Sequence, residues 1–317
     1  MKYIQPLKML MVAAAIVTPI YLVAPTPSFA AKPMPVCIVG HSHASIQKAV
    51  EDTKCEFINV PEGTFQENVY IDLRRDITIR GSGPDSTIVD GSNTEAPVFW
   101  VQNKDWTPTN QVPHAITLKG MTITGGTSPR AQFPNGGGIA VVGVTLTVKD
   151  CLITGNTAPD HPSGCNSSDD PNCLGQGGGI GAANSTVFVT DSIITENSAT
   201  FGGGLRVVGI SALTVTDSVI GGNKARNAAG LGQGGGIYGN TPSQWAMTVK
   251  DSLITDNKAD TQGGGIYVNS RALIIKGSGI FNNTAGTDGG GIYLNNSTLV
   301  VKDSTTTPNT PNDIAQN

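Results

Sequence analysis

The side chains with the most evident chemical use recur in step along this sequence. Tyr238-Gly239-Asn240, Tyr267-Val268-Asn269 and Tyr293-Leu294-Asn295 repeat one pattern, and Arg206 holds the corresponding place upstream. If Ile237, Ile266 and Ile292 face a core, each Tyr and Asn faces outward, where ring faces can stack on sugars and amides can bond hydroxyls. Arg206 would add a cation for an acidic sugar. These seven residues are the ligand-binding candidates. A tyrosine ladder that only joins neighbouring strands is the structural alternative. Cleaving a polysaccharide needs other groups: a base beside a cation or metal for a lyase, two carboxyls for a hydrolase. The basic candidates for that work are Lys224, Arg226 and Arg206, and the acidic ones are Asp256, Asp260 and Asp288. They form no recognisable catalytic set, so no catalytic residue is assigned. Asp169-Asp170 lies in a polar loop between Cys165 and Cys173 and reads as loop.

A further set of carboxylates, Asp150, Asp191, Asp217, Asp251 and Asp303, occupies equivalent places. Closely stacked carboxylates would attract calcium, the only cofactor with any motive in the sequence. The preferred reading is a turn, in which Asp and the Ser that usually follows bond local amides while Lys149, Lys250 and Lys302 offset the charge. No metal site is assigned.

What positions these residues is an internal repeat. Gly-Gly-Gly followed by Ile or Leu occurs six times, from Gly136, Gly177, Gly202, Gly234, Gly263 and Gly289. Six residues after each of these aspartates, and after Gly277 in the equivalent place, comes Asn156, Asn197, Asn223, Asn257, Asn283 or Asn309, and the shortest repeat is 26 residues. Alternation places Leu146, Val148, Val187, Val189, Leu213, Val215, Met247, Val249, Leu273, Ile275, Leu299 and Val301 inward, with two isoleucine-rich columns alongside. Three short strands per coil are expected. The asparagines fall at one corner as a stacked structural ladder, and the glycines mark another where a Cβ would obstruct the bend. Ser45 is placed to cap a short N-terminal helix over the first coil, with Ile46, Ala49 and Val50 on its inner face. At the far end Thr306 replaces the inward isoleucine, and Pro308 is expected to discourage further pairing.

Residues 46–91 carry Ile46-Gln47-Lys48-Ala49-Val50, then Val60-Pro61-Glu62-Gly63-Thr64-Phe65-Gln66-Glu67 and Ile77-Thr78-Ile79-Arg80-Gly81. This segment resembles the opening coils of right-handed parallel β-helix proteins of the pectate-lyase-like superfamily. The glycine and asparagine landmarks are similar to polymorphic outer-membrane-protein-type repeats. The resemblance implies an all-β, right-handed parallel β-helix with a short N-terminal capping helix. It implies little about activity, because that superfamily holds lyases, hydrolases and adhesins.

Composition agrees. Of 317 residues 40 are Gly, 5% are aromatic and 14% are charged, too few charges for helical surfaces. A net charge of −4 without a basic block argues against nucleic acid. Lys2 and Lys8, the apolar run over residues 9–23 and Ser28-Phe29-Ala30 predict a signal peptide over residues 1–30, followed by a single β-helix domain over 31–317 without a membrane span. Cys37 pairs with Cys55 and Cys165 with Cys173 in the expected arrangement, leaving Cys151 as a thiol. The expectation is a secreted, non-catalytic protein that binds a polysaccharide or cell-surface glycan. A polysaccharide lyase or hydrolase is the alternative, with an adhesin-like spacer behind it. An ice-binding face ranks last: Thr147, Thr214 and Thr248 form an outward column, but Phe188, Ile274 and Val300 interrupt it.

Overall fold

Five successive coils, from Thr145 to Asn295, pass through four extended segments each before returning one strand width along the axis, and the coils before them pass through three. The computed structural model describes residues 36–107, 114–128, 136–159, 176–226, 230–240 and 246–317. The expected signal peptide and the Cys165–Cys173 loop with Asp169-Asp170 lie outside the described residues. One coil runs through Thr145–Lys149, Leu152–Thr154 and Thr157–Ala158, and reaches Ile180–Ala183 after its glycine triplet. All pairings are parallel and join equivalent residues, as in Leu213, Met247, Leu273 and Leu299. The strands stack into sheets of ten, nine, eight and five members.

The fourth sheet corrects the expected three strands per coil. Its strands are only two residues long and follow the ladder asparagine. Each presents a buried alanine, Ala158, Ala199, Ala225, Ala259 or Ala285. A small side chain at that place lets the short strand approach the corner closely.

The inward columns form one continuous core. Its isoleucines at 153, 194, 220, 254 and 280 are fully buried. The last expected inward pair departs from this, since Leu299 is only partly buried and Val301 is 40% exposed. They lie on Thr298–Lys302, the outermost strand of the ten-stranded sheet, with no further coil over them among the described residues.

Three corners show how the repeat closes. Asp150, Asp191, Asp217, Asp251 and Asp303 are left-handed, with φ between 48° and 51°. The next residue makes a serine chain: the Ser192 amide donates to Ser218 Oγ and the Ser218 amide to Ser252 Oγ, both at 3.1 Å. Lys149 meets Asp191 of the next coil at 3.3 Å. At the second corner Asn156 Nδ2 donates to Asn197 Oδ1 at 3.0 Å, and the same bond recurs from Asn197, Asn223, Asn257 and Asn283 to the next ladder asparagine. Asn309 ends the ladder by donating through its backbone amide and Nδ2 to Asp313 Oδ1, at 2.8 and 3.2 Å.

The glycine corner demands all three of its glycines for different reasons. Gly202 has a φ of +66°, and a Cβ there would lie 2.3 Å from the Leu205 carbonyl. On Gly203 it would sit 2.5 Å from the Gly235 carbonyl of the next coil, and on Gly204 3.0 Å from Asn223 Nδ2. The triplet is thus the place where neighbouring coils come too close for any side chain.

The N-terminal end is capped as the sequence indicates. Ser45 Oγ accepts from the Lys48 amide at 3.2 Å, and Ile46, Ala49 and Val50 of the helix Ile46–Glu51 are buried. Gln47 caps the edge of Val69–Asp72 as a strand would: Oε1 accepts from the Tyr70 amide at 2.7 Å and Nε2 donates to the Tyr70 carbonyl at 3.1 Å. Cys37 and Cys55 form a disulfide. Cys151 is a buried thiol in the serine chain, and burial pushes it up to about 11. At the other end pairing continues past Pro308, because Ile314–Gln316 adds a parallel strand to Ile292–Asn295.

Candidate functional site

The Tyr and Asn columns lie on the outer side of the nine-stranded sheet, yet the tyrosines are covered. Tyr238, Tyr267 and Tyr293 are 1%, 6% and 6% exposed and form a second apolar cluster with Phe201. Their rings stack on one another, with centroids 4.9 and 5.4 Å apart. In these coils the first glycine of the triplet lies against the base of the tyrosine that follows it. A Cβ on Gly234 would lie 2.8 Å from Tyr238 Cβ, and one on Gly289 2.8 Å from Tyr293 Cβ. This corrects the expected sugar-stacking strip, because no ring face is offered to a ligand. The partner column bonds to itself as well: Asn269 Nδ2 donates to Asn240 Oδ1 at 2.9 Å, and Asn295 Nδ2 to Asn269 Oδ1 at 3.1 Å.

Arg206 ends the aromatic stack and is likewise not an outward cation. It is 3% exposed, with its guanidinium 5.7 Å from the Phe201 ring centre and 5.4 Å from that of Tyr238. Nε and Nη1 have no hydrogen-bond partner among the described residues. Burial lowers its pKa to about 10, so it stays charged at neutral pH.

The groups considered for cleavage do not converge. Asp256 is a left-handed turn residue beside the Asn ladder, held by Thr255 Oγ1 at 2.6 Å. Asp288 accepts from Asn312 Nδ2, also at 2.6 Å. Lys224 and Arg226 are exposed on the neighbouring face. The only three-residue group with metal-ligand spacing among the described residues is Cys37, His43 and Cys55, two of which are joined as the disulfide.

A different cluster appears at the other end of the same outer columns, before the first glycine triplet. Tyr70 aligns with Trp100 and Asp72 with Gln102. Tyr70 is 37% exposed and meets Trp100 edge to face at 5.5 Å. Gln102 Nε2 donates to the Tyr70 hydroxyl. The Tyr70 hydroxyl, and after it the Asp72 carboxylate, raise Lys104 above its usual range, and its Nζ lies 5.6 Å from the Tyr70 ring centre. Asp72 meets Arg74 at 3.2 Å and Lys104 at 3.6 Å.

A groove suited to a ligand lies on the outer face of the ten-stranded sheet. It holds about 370 Å³ and is lined by Trp106, Asn184, Thr186, Phe188, Ile210 and Thr214, among others. Thr186 and Phe188 pair directly with Ala212 and Thr214 of the next coil and form the floor. An Asx turn, with the Asp105 amide donating to Asn103 Oδ1 at 3.0 Å, carries Trp106 to the rim. Its indole packs on Gly143, where a Cβ would lie 2.5 Å from Trp106 Cγ. Asn184 Oδ1 accepts from the Ile210 amide at 3.0 Å, which leaves Nδ2 as a donor. Phe188 is 39% exposed. Alternation announced it only as an interruption of the threonine column, and Trp106, in an irregular segment, carried no periodic signal.

Stacked parallel coils, an asparagine ladder and a helical N-terminal cap define a parallel β-helix. The chain belongs to the family described as "Right handed beta helix region", which it matches over residues 75–272. Solved structures similar to it include a pectin methylesterase from carrot, at 12% identity over 90% of this chain and 89% of that one, with a TM-score of 0.48. Pectin methylesterase PemA from Erwinia chrysanthemi is similar at 10% identity over 89% and 92%, with a TM-score of 0.48. PfbA, a surface adhesin of Streptococcus pneumoniae, is similar at 11% identity over 81% and 85%, with a TM-score of 0.25. No curated protein matches the chain. No helix among the described residues is long and apolar enough to cross a membrane.

Proposed function

We propose that this is an exported β-helix protein that binds a glycan through the groove between Trp106 and Phe188. The observation that carries the reading is the meeting of two aromatic side chains with threonine hydroxyls and the Asn184 amide in one concave site. Ring faces suit the apolar faces of sugars, and short polar groups around them suit hydroxyls. Export is supported by the leader-like pattern of residues 1–30 and by the disulfide, which belongs to an oxidising compartment. The test is a glycan array probed with the parent protein and with Trp106→Ala and Phe188→Ala. Binding lost in both variants supports the reading, and binding unchanged in both overturns it.

A polysaccharide-cleaving enzyme is the second reading. Its motive is the cluster of Tyr70, Lys104 and Asp72 on an open face, with Lys104 3.6 Å from Asp72 and 5.6 Å from the Tyr70 ring centre, groups able to move protons. Product formation from polyuronides and neutral glycans, with and without calcium, tests it. Turnover abolished by Tyr70→Phe and Lys104→Ala would support an enzyme, and no turnover across the panel would remove it.

A further inference from the structure

The groove's surroundings say which glycans it takes; this step rests on the groove reading above. The last outward position of each strand in the ten-stranded sheet forms a row along the solenoid. In register it reads Arg80, Lys119, Lys149, Thr190, Thr216, Lys250, Lys276 and Lys302. Ile38 and Asn59 stand before Arg80 in this register. From Arg80 onward the row is basic at every place but two, and those two lie on Thr186–Thr190 and Ala212–Thr216. These are the strands that supply the groove floor. The basic row is therefore interrupted where a ligand would lie.

The described lining does not restore the charge. Among the described residues the groove lining contains no Asp, Glu, Lys, Arg or His. The turn residues that end the two floor strands, Asp191 and Asp217, are both carboxylates, and Asp191 is paired with Lys149 at 3.3 Å. By sequence, residues 107–113, which follow Trp106, and residues 241–245, which precede Ala246, contain no charged side chain.

We infer that the groove selects an uncharged glycan and rejects uronate chains. A uronate carboxylate entering it would lose water without gaining a cation, a penalty that a neutral pyranose does not meet. The hydroxyls of a neutral sugar find Thr186, Thr214 and Asn184 Nδ2, and its apolar face finds Trp106 and Phe188. A peptide added as a strand is excluded as the ligand, because Thr186–Thr190 is already paired on both sides, with Thr145–Lys149 and Ala212–Thr216.

The experiment is calorimetric titration of the full chain with neutral oligosaccharides (cello-, manno-, xylo- and chito-oligomers) and with oligogalacturonate and oligomannuronate. Each is measured at low salt and at about 0.5 M NaCl, where surface charges are screened. At least one neutral series binds, its affinity changes less than about twofold with salt, and Trp106→Ala or Phe188→Ala weakens it about tenfold or more. The double variant Thr190→Lys, Thr216→Lys completes the basic row with residues already accommodated at equivalent places. It gains salt-sensitive uronate binding. Uronate binding by the parent chain that is lost in Trp106→Ala and weakened by salt overturns the inference while leaving the groove as the glycan site. Absence of binding by either class to folded protein overturns both.

Discussion

The outer side of the nine-stranded sheet is one surface with two fates. At its N-terminal end Tyr70 and Trp100 stand partly in solvent beside charged neighbours. Further along the same columns Tyr238, Tyr267 and Tyr293 are sealed. Residue type and strand phase are alike in the two regions. What differs is the glycine corner, which is absent before Gly136 and thereafter lies across the strand that follows it. The lesson is that outward on a solenoid strand means outward from the main core, and a close backbone crossing turns that side into a second core.

The sharpest way to break this contrast is to lift the cover. In Gly263→Val the new Cβ meets the Ile266 carbonyl at 2.6 Å and Tyr267 Cα at 2.8 Å, at a φ of +66°. Chemical denaturation should show a loss of about 4 kcal/mol, and a loss below about 1 kcal/mol would mean that the corner yields freely. Removing what is covered comes next. Tyr267→Ala should cost about 3 kcal/mol, the ordinary penalty for an aromatic cavity. A marginal loss would show that the stack is not a packed core.

Arg206→Met tests the boundary of the sealed stack in the opposite direction. The guanidinium is desolvated with two nitrogens unpaired, and only ring contacts offset that cost. Because burial lowers its pKa to about 10, the cost is present at neutral pH and fades only as the pH rises past about 10. The methionine variant should therefore gain about 1 kcal/mol at pH 7, and a clear loss would assign the cation a stabilising partner. The smallest effect belongs to the open end. Tyr70→Ala should change stability by no more than about 0.5 kcal/mol, so that a loss like that of Tyr267→Ala would erase the comparison.

These differences mark the limit of what the sequence discloses. The inward columns were legible because a period of two within strands and a repeat of 26 residues reinforce each other. The ladder asparagines carried their spacing in the same way. The covered tyrosines were misread because alternation states which side of a strand a residue takes and is silent about what crosses that side. Here the crossing chain is glycine, which has no hydrophobic signature. The short fourth strand had a signal, an alanine two residues beyond every ladder asparagine except Asn309, but two residues are too few for a periodicity to show. The groove draws Phe188 and Thr214 from adjoining coils and Trp106 from a distant irregular segment, so no single window contains it. Its sequence trace is the replacement of lysine by Thr190 and Thr216.

Asp313 has a consequence beyond closing a corner. Every ladder asparagine both gives and takes a hydrogen bond, so the row has a direction and, by itself, no reason to stop. A carboxylate in ionised form can only take. By accepting both the backbone and the side-chain donors of Asn309, Asp313 offers no amide hydrogen to a further layer. It acts as a terminator written in hydrogen-bond polarity, blunting a column that stacked amides would otherwise extend toward fibril-like growth.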